Sequence, residues 1–310
     1  MTERITVEDV KQADCPSSAT KCLERSKMLC RELEKGNILF FPNIPFDFPK
    51  EDIEFLLNQK QIKNKSAKYK PRLDKLVNAN VKNEQDYLRL HEVMKKLSCS
   101  SSTFLSKLLT PYASKWTVDN TCFRSFGFKG KKQKLKSDLL HIDAFKAKPM
   151  FGTRILKFYI NINPKLSKRW ITSESFEKLV VKFGGSKDLP FPAVSKKSLK
   201  DSVRVAFKKG AKTVGLPVTM KSAYDHFMLK MQKFLKKNND FQENCSKDHW
   251  EFPPGSCWAV FTDVVSHAVI EDQNELEQTF FIPVDGLIYR EKAPISILER
   301  RSGWSMSSLF

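Results

Sequence analysis

An α+β fold is predicted: a double-stranded β-helix core of the jelly-roll, cupin-like kind, set behind N-terminal helices and interrupted by a helical insertion. Three observations predict it. Helical patterning dominates residues 1–118, strand-like alternation begins at about 119, and a basic, mostly helical excursion at about 165–250 separates the early strands from the last ones. An antiparallel jelly roll accommodates that order, because its paired sheets form a mouth on which residues from distant strands converge. A parallel α/β sheet does not, since strands and helices fail to alternate. Residues 1–118 therefore read as a helical cover integrated with the core, and 119–310 as the β-helix with its insertion.

Taken in order, residues 1–35 are polar and helical, with Leu23, Met28, Leu29 and Leu33 as apolar contacts. Residues 38–42 (ILFFP) are a short apolar run stopped by proline, a strand by length. Residues 50–115 read as mostly helical, in two stretches around a lysine-rich joint at 59–75. Residues 121–128 (TCFRSFGF) alternate and run into a basic turn. Strands follow at 139–145 and 154–162. Inside the excursion, 224–237 sets Phe227, Met228, Met231, Phe234 and Leu235 on one helical face, with Lys230, Lys233, Lys236 and Lys237 off it. Such a helix packs on the domain or lies on a membrane surface. Pro253-Pro254-Gly255 turns the chain into a strand at 256–262, His267 begins another, and 276–284 is the last.

Composition narrows the class. Fifty-four Lys and Arg against 35 Asp and Glu give a net charge of +19, a field that attracts nucleic acid, anionic lipid headgroups or acidic saccharides without choosing among them. Seven cysteines without a CxxC match no zinc module and read as reduced thiols. No window nears the roughly 18 uninterrupted apolar residues of a membrane span. The N-terminus carries acids where a secretory signal has its apolar core, so a cytoplasmic location is expected.

The chemistry concentrates in His141-Ile142-Asp143 and, 126 positions after His141, His267. Side chains two apart on a strand share a face. A histidine from a second strand completes two imidazoles and one carboxylate around a metal, the arrangement of non-haem Fe(II) oxygenases. His91, His226 and His249 lack that context. Such an oxygenase draws two electrons from a co-substrate. 2-Oxoglutarate, chelating the metal at one end, needs a cation at its distal carboxylate, and arginine supplies a bidentate one. Arg154, on the strand after the HxD, is the first choice; Gln278, ten or so positions past His267, can assist without neutralising. Arg124 suits an anionic substrate or co-substrate, the Lys-rich run 129–136 borders the expected mouth, and Trp170 and Tyr159 suit its lining.

These residues carry a family likeness. HIDAF (141–145), RILKFYININP (154–164), SAYDHFML (222–229), FPPGSCW (252–258), SHAV (266–269), LEQTF (276–280) and SILER (296–300) resemble the Kdo hydroxylases in order and spacing, over roughly residues 35–300. The resemblance implies an Fe(II)-, 2-oxoglutarate- and O2-dependent dioxygenase that hydroxylates C3 of 3-deoxy-D-manno-oct-2-ulosonic acid (Kdo) on lipid A precursors. It assigns iron to His141, Asp143 and His267, co-substrate contacts to Arg154 and Gln278, and substrate-side roles to Arg124, Tyr224 and His226. It also implies a Kdo-lipid A partner, no nucleic acid, and a place on the anionic cytoplasmic face of the inner membrane. A JmjC-type oxygenase acting on protein or RNA is one alternative. A non-enzymatic basic jelly roll that binds polyanions is the other; it lacks recognisable RNA-binding motifs.

Overall fold

The computed structural model describes residues 2–7, 19–59, 66–124, 138–192, 220–270 and 274–308. The chain runs β1 (Arg4–Thr6), α1 (Ala19–Lys35), β2 (Ile38–Phe41), α2 (Lys50–Leu57), β3 (Ala67–Lys70), β4 (Lys75–Val77), α3 (Glu84–Leu108), α4 (Thr110–Ala113) and β5 (Thr117–Arg124). It continues through β6 (Arg154–Asn161), β7 (Lys168–Ser175), α5 (Phe176–Phe183), α6 (Ala223–Lys237), α7 (Asn239–Asn244) and β8 (Asp248–Phe252). The last elements are β9 (Cys257–Phe261), β10 (Val265–Val269), β11 (Glu275–Ile282) and α8 (Pro294–Ser302).

Two sheets face one another. The larger has the order β1-β2-β9-β6-β11-β5-β3-β4, the smaller β10-β7-β8. Between them lies an aromatic cluster: Ile38, Phe40, Tyr159, Trp258 and Val260 from the large sheet meet Trp170, Trp250, Phe252 and Val265 from the small one. Trp258 and Phe252 stack with centroids 4.0 Å apart. Each large side chain removed from water here contributes about 1.5–3 kcal/mol. This is the jelly-roll core expected from the strand order.

The outer face of the large sheet is closed by helices. α3 starts where Asn83 caps it, accepting from the Asp86 N–H at 2.8 Å, and it buries Leu90, Val93, Met94, Leu97, Phe104, Leu105 and Leu108. Phe104 reaches Phe41 and Phe158, with centroids 5.4 and 6.2 Å away. Strands β6 and β11 are buried at all eight positions, covered by helices on one face and the small sheet on the other. Alternation then sends Leu156, Phe158 and Ile160 towards the helices and Lys157 and Tyr159 towards the space between the sheets.

Several elements differ from expectation. The joint at 59–75 holds most of a hairpin, β3–β4, because Ala67 and Tyr69 alternate inward between exposed or half-buried lysines. The helical excursion is narrower than 165–250: β7 and the start of β8 fall within those bounds, and the two are core strands paired to each other. Charged Lys168 and Arg169 disguised a strand whose inward positions are Trp170 and Thr172. Residues 139–145 make no full strand; a single antiparallel bridge joins His141 to His267. The 119 boundary falls inside β5, and residues 1–118 supply four strands as well as helices. Leu29 and Leu33 are buried as expected, whereas Leu23 and Met28 are exposed. Cys22 is disulfide-bonded, correcting the expectation of seven thiols. The basic run 129–136 lies outside the described residues.

Candidate metal centre

His141 sits beside β10 because the two histidines exchange backbone hydrogen bonds: His141 N–H donates to His267 O at 3.0 Å, and His267 N–H to His141 O at 2.9 Å. Two residues on, Asp143 N–H donates to Thr262 O at 2.8 Å, at the end of β9. The helical insertion holds the rest of the segment. Gln232 of α6 donates to Ile142 O at 3.1 Å, and Gln242 of α7 bonds both the N–H and the O of Leu140 at 2.9 Å. No spacing rule in the sequence marks these two glutamines.

One nitrogen from each histidine and one Asp143 oxygen all lie within 4.8 Å of one another. Each imidazole is oriented by its own backbone: His141 Nδ1 lies 2.8 Å from Leu139 O, and His267 Nδ1 3.1 Å from Val265 O. A carbonyl oxygen only accepts, so Nδ1 carries the proton and Nε2 keeps its lone pair. Trp170 stacks on the His267 ring, 5.4 Å between centroids and 16° between planes, and fixes its plane.

The electrostatics prepare a cation site. Burial, with His267 nearby, pulls the His141 imidazole down to about 3. Burial also lowers His267. Both rings are therefore neutral ligands at neutral pH. Burial alone would raise Asp143, but Lys157 and the two imidazoles hold its carboxyl well below the usual range. The donor set, two neutral imidazole nitrogens and one carboxylate, fits a divalent first-row metal with positions left open.

Lys157 lies between two carboxylates, its Nζ 2.9 Å from Asp143 Oδ2 and 3.4 Å from Glu277 Oε1. Glu277 is also paired with Arg124 at 2.6 Å, and Arg124 with Glu275 at 2.7 Å. Lys168, fully buried, lies 3.1 Å from Glu275. The result is a string of alternating charges running from Asp143 deep into the space between the sheets.

A family model describing 3-deoxy-D-manno-oct-2-ulosonic acid (Kdo) hydroxylase matches residues 17–305. The chain belongs to the Kdo hydroxylase family. Among solved structures, it is similar to the Kdo hydroxylase KdoO, a non-haem Fe(II) α-ketoglutarate-dependent dioxygenase, in complex with succinate and Fe(III). That match has a TM-score of 0.81 and 29% identity over 99% of this chain and 98% of that one. KdoO with α-ketoglutarate and Fe(III) gives 0.80 and 29% over 98% and 97%. KdoO with cobalt(II) gives 0.80 and 28% over 99% and 98%. No curated protein sequence matches.

In this Kdo hydroxylase the other expected site residues are placed differently from His141, Asp143 and His267. Arg154 shares the helix-side face of β6 with Phe158, so it points away from the triad; it is fully buried, with Nε 2.8 Å from Asp263 Oδ2 and its guanidinium over Phe261. Gln278 stands opposite Phe158 in the β11–β6 register, on that same outer face, where Thr121 Oγ1 donates to it at 2.5 Å. Tyr224 is buried in the same region, close enough to Asp263 and Arg154 to feel their charges. His226 is half-buried, its Nδ1 2.9 Å from Ser222 O. Arg154 and Gln278 thus share the face of their strands turned away from His141, Asp143 and His267. Arg124 does face the inter-sheet space, engaged by Glu275 and Glu277. On the triad's side of β6 the cation is Lys157, three positions from Arg154.

Proposed function

We propose that this Kdo hydroxylase holds Fe(II) on His141, Asp143 and His267 and hydroxylates C3 of Kdo on lipid A-linked acceptors, turning 2-oxoglutarate and O2 into succinate and CO2. The observation that carries the reading is the convergence of two neutral Nε2 lone pairs and one carboxylate within 4.8 Å, on a mouth between two sheets. Bound iron supplies the oxidising chemistry, with 2-oxoglutarate as the two-electron donor.

The chain's own residues do the rest. Backbone carbonyls of Leu139 and Val265 hold the imidazole protons on Nδ1, so the ligand nitrogens stay available. Lys157 supports the distal carboxylate of 2-oxoglutarate in place of Arg154, as the buried cation beside the ligands. Thr279, opposite Lys157 across the strand pair, and Glu277 shape that end of the pocket. Trp170, Tyr159 and Trp258 fill the far side and exclude water. Dry surroundings strengthen every charge interaction in the site.

Docking on an anionic membrane surface is read from the insertion. Lys187, Lys230, Lys233 and Lys237 line an open groove of about 750 Å³ with Asp188 as its only acid among the described residues. None of the four lysines has an ion-pair partner among the described residues. The helix that carries three of them is the one whose Gln232 holds the HxD segment. Phosphorylated headgroups complement such a groove. No helix among the described residues is long and apolar enough to cross a membrane, consistent with contact from one side.

The reading is tested by following succinate release from 2-oxoglutarate with Fe(II)-loaded protein, with and without Kdo-bearing lipid A. Release stimulated several-fold by the Kdo acceptor is expected. Stimulation by RNA or protein substrates instead would overturn the substrate.

A further inference from the structure

The lysines of helix α6 are not all alike. Lys230, Lys233 and Lys237 line the open groove of the insertion. Lys236 instead falls in line with Asp225 and Gln232, spaced from them at helical intervals of seven and four residues. That line follows the chain from Met150 back to Leu140. Asp225 Oδ1 accepts from the Met150 N–H at 2.6 Å, and Gln232 donates to Ile142 O at 3.1 Å. Further along, Gln242 Nε2 donates to both Leu140 O and Leu235 O, at 2.9 and 2.7 Å. The helical turn that carries Lys236 is therefore fastened beside His141.

Lys236 is half-buried there, and its charge reaches both imidazoles. Burial is the main cause of the lowered His141 and His267, and Lys236 adds to it in each. Lys157 comes to the triad from β6 instead, at Asp143. Within the string between the sheets, Lys157, Arg124 and Lys168 are matched by Asp143, Glu277 and Glu275. Lys236 adds a further positive charge on the histidine side.

The substrate calls for a cation at that place. In Kdo the carboxylate carbon C1 and the reacting C3 are both bonded to C2. An acceptor that turns C3 towards the triad therefore brings its own carboxylate to the edge of the same site. A carboxylate desolvated without a partner is costly. With Lys157 meeting the co-substrate, a second anion remains to be met.

We infer that Lys236 receives the carboxylate of the Kdo substrate, and so selects a 2-ulosonic acid over neutral sugars. This rests on the Kdo and 2-oxoglutarate reading above. The ammonium forms a charge-assisted hydrogen bond to the carboxylate. Anchoring the sugar one carbon away from C3 also fixes which carbon faces the triad, a gain in orientation as well as affinity. Helix α6 then carries lysines of two kinds, the groove set for an anionic surface and Lys236 for the sugar acid.

The test compares Kdo-bearing lipid A with the same acceptor methyl-esterified at the Kdo carboxyl, following oxygen addition by mass spectrometry with the full Fe(II)-loaded chain. The natural protein is expected to prefer the acid about tenfold or more in kcat/KM, the size of a hydrogen bond between charged groups. Lys236→Met should bring the two acceptors within about twofold of each other, by raising the KM for the acid. Lys236→Arg keeps the charge and should keep most of the preference. A merely structural role would slow both acceptors alike and leave their ratio intact. An intact acid preference in Lys236→Met would overturn the assignment. So would equal use of acid and ester by the natural protein, a comparison that needs no variant to fold. A Co(II) absorbance titration of the natural protein runs alongside. Protein that binds Co(II) yet oxidises neither acceptor would remove the Kdo substrate, and this role with it.

Discussion

His141 and His267 exchange both of their backbone hydrogen bonds, at 3.0 and 2.9 Å, so the spacing of two candidate metal ligands is set by a strand pairing. A ladder holds position better than a free loop, because each side chain inherits the register of the sheet. Replacing either imidazole by alanine keeps these backbone bonds. His141→Ala and His267→Ala are expected to remain folded, by circular dichroism, while losing at least a hundredfold in Co(II) affinity. Retention of tight binding in either variant would remove that residue from the ligand set.

The two glutamines that clamp the HxD segment should matter without touching metal. Gln242 ties both backbone polar groups of Leu140, and Gln232 ties Ile142 O. Outer supports of metal ligands typically govern about 10–100-fold in affinity or activity. Gln242→Leu is expected to lower Co(II) affinity within that range, read by the same titration. An unaltered affinity would show that β10 and the Thr262 contact position the segment unaided.

Acid should destabilise the metal-free protein in two steps. His141, about 6.5 when unfolded and pulled down to about 3 when folded, stays neutral in the native state while the unfolded chain takes up a proton. Its contribution is fully present above pH 6.5 and is lost as pH falls towards 3, at about 1.4 kcal/mol per pH unit. Glu277, brought to about 2 by Arg124 and Lys157 against the opposing effect of burial, loses its contribution between pH 4.5 and 2. Urea unfolding across pH 3–7 measures the first step, and His141→Gln should flatten it. A slope unchanged by that substitution would contradict the assignment.

Glu277 is the shared partner of Arg124 and Lys157. Neutralising it leaves two interior cations short of an anion. Breaking one side of a buried pair costs about 3–5 kcal/mol. Glu277→Gln should therefore lower the denaturant midpoint markedly; a loss below about 1 kcal/mol would mean the string is hydrated rather than buried.

Arg154 and Lys157 separate stability from co-substrate binding. Arg154→Met strands Asp263 in the core and should destabilise the fold, yet leave the KM for 2-oxoglutarate within about twofold. Lys157→Met should raise that KM by a hundredfold or more, a loss consistent with a charge-assisted contact. The opposite pattern would return the co-substrate contact to Arg154.

These last two residues show where the sequence stops being legible. The convergence of His141, Asp143 and His267 could be read because HxD fixes a shared face whatever the sheet order, and because His267 follows a Pro-Gly turn and a strand. The choice between Arg154 and Lys157 depends on which face of β6 looks inward, and β6 is buried on both. A strand covered on both sides lacks the usual apolar-polar alternation. A weaker signal was present: Lys157, Tyr159 and Asn161 share one parity, while Leu156, Phe158 and Ile160 share the other. The polar set lines the inter-sheet space. The face of Gln278 was illegible for the same reason, since β11 is buried at every position. The β3–β4 hairpin was hidden by half-buried lysines flanking its strand, and β7 by Lys168, a charge that enters the core because Glu275 pairs with it.

The most direct test of the central claim is mass spectrometry of Kdo-bearing lipid A after aerobic incubation with Fe(II)-loaded protein, 2-oxoglutarate and ascorbate, beside His141→Ala. The expected product is heavier by one oxygen, carries it on the Kdo residue, and is absent with the variant. Unmodified lipid from protein that demonstrably binds iron and 2-oxoglutarate would contradict the assigned substrate.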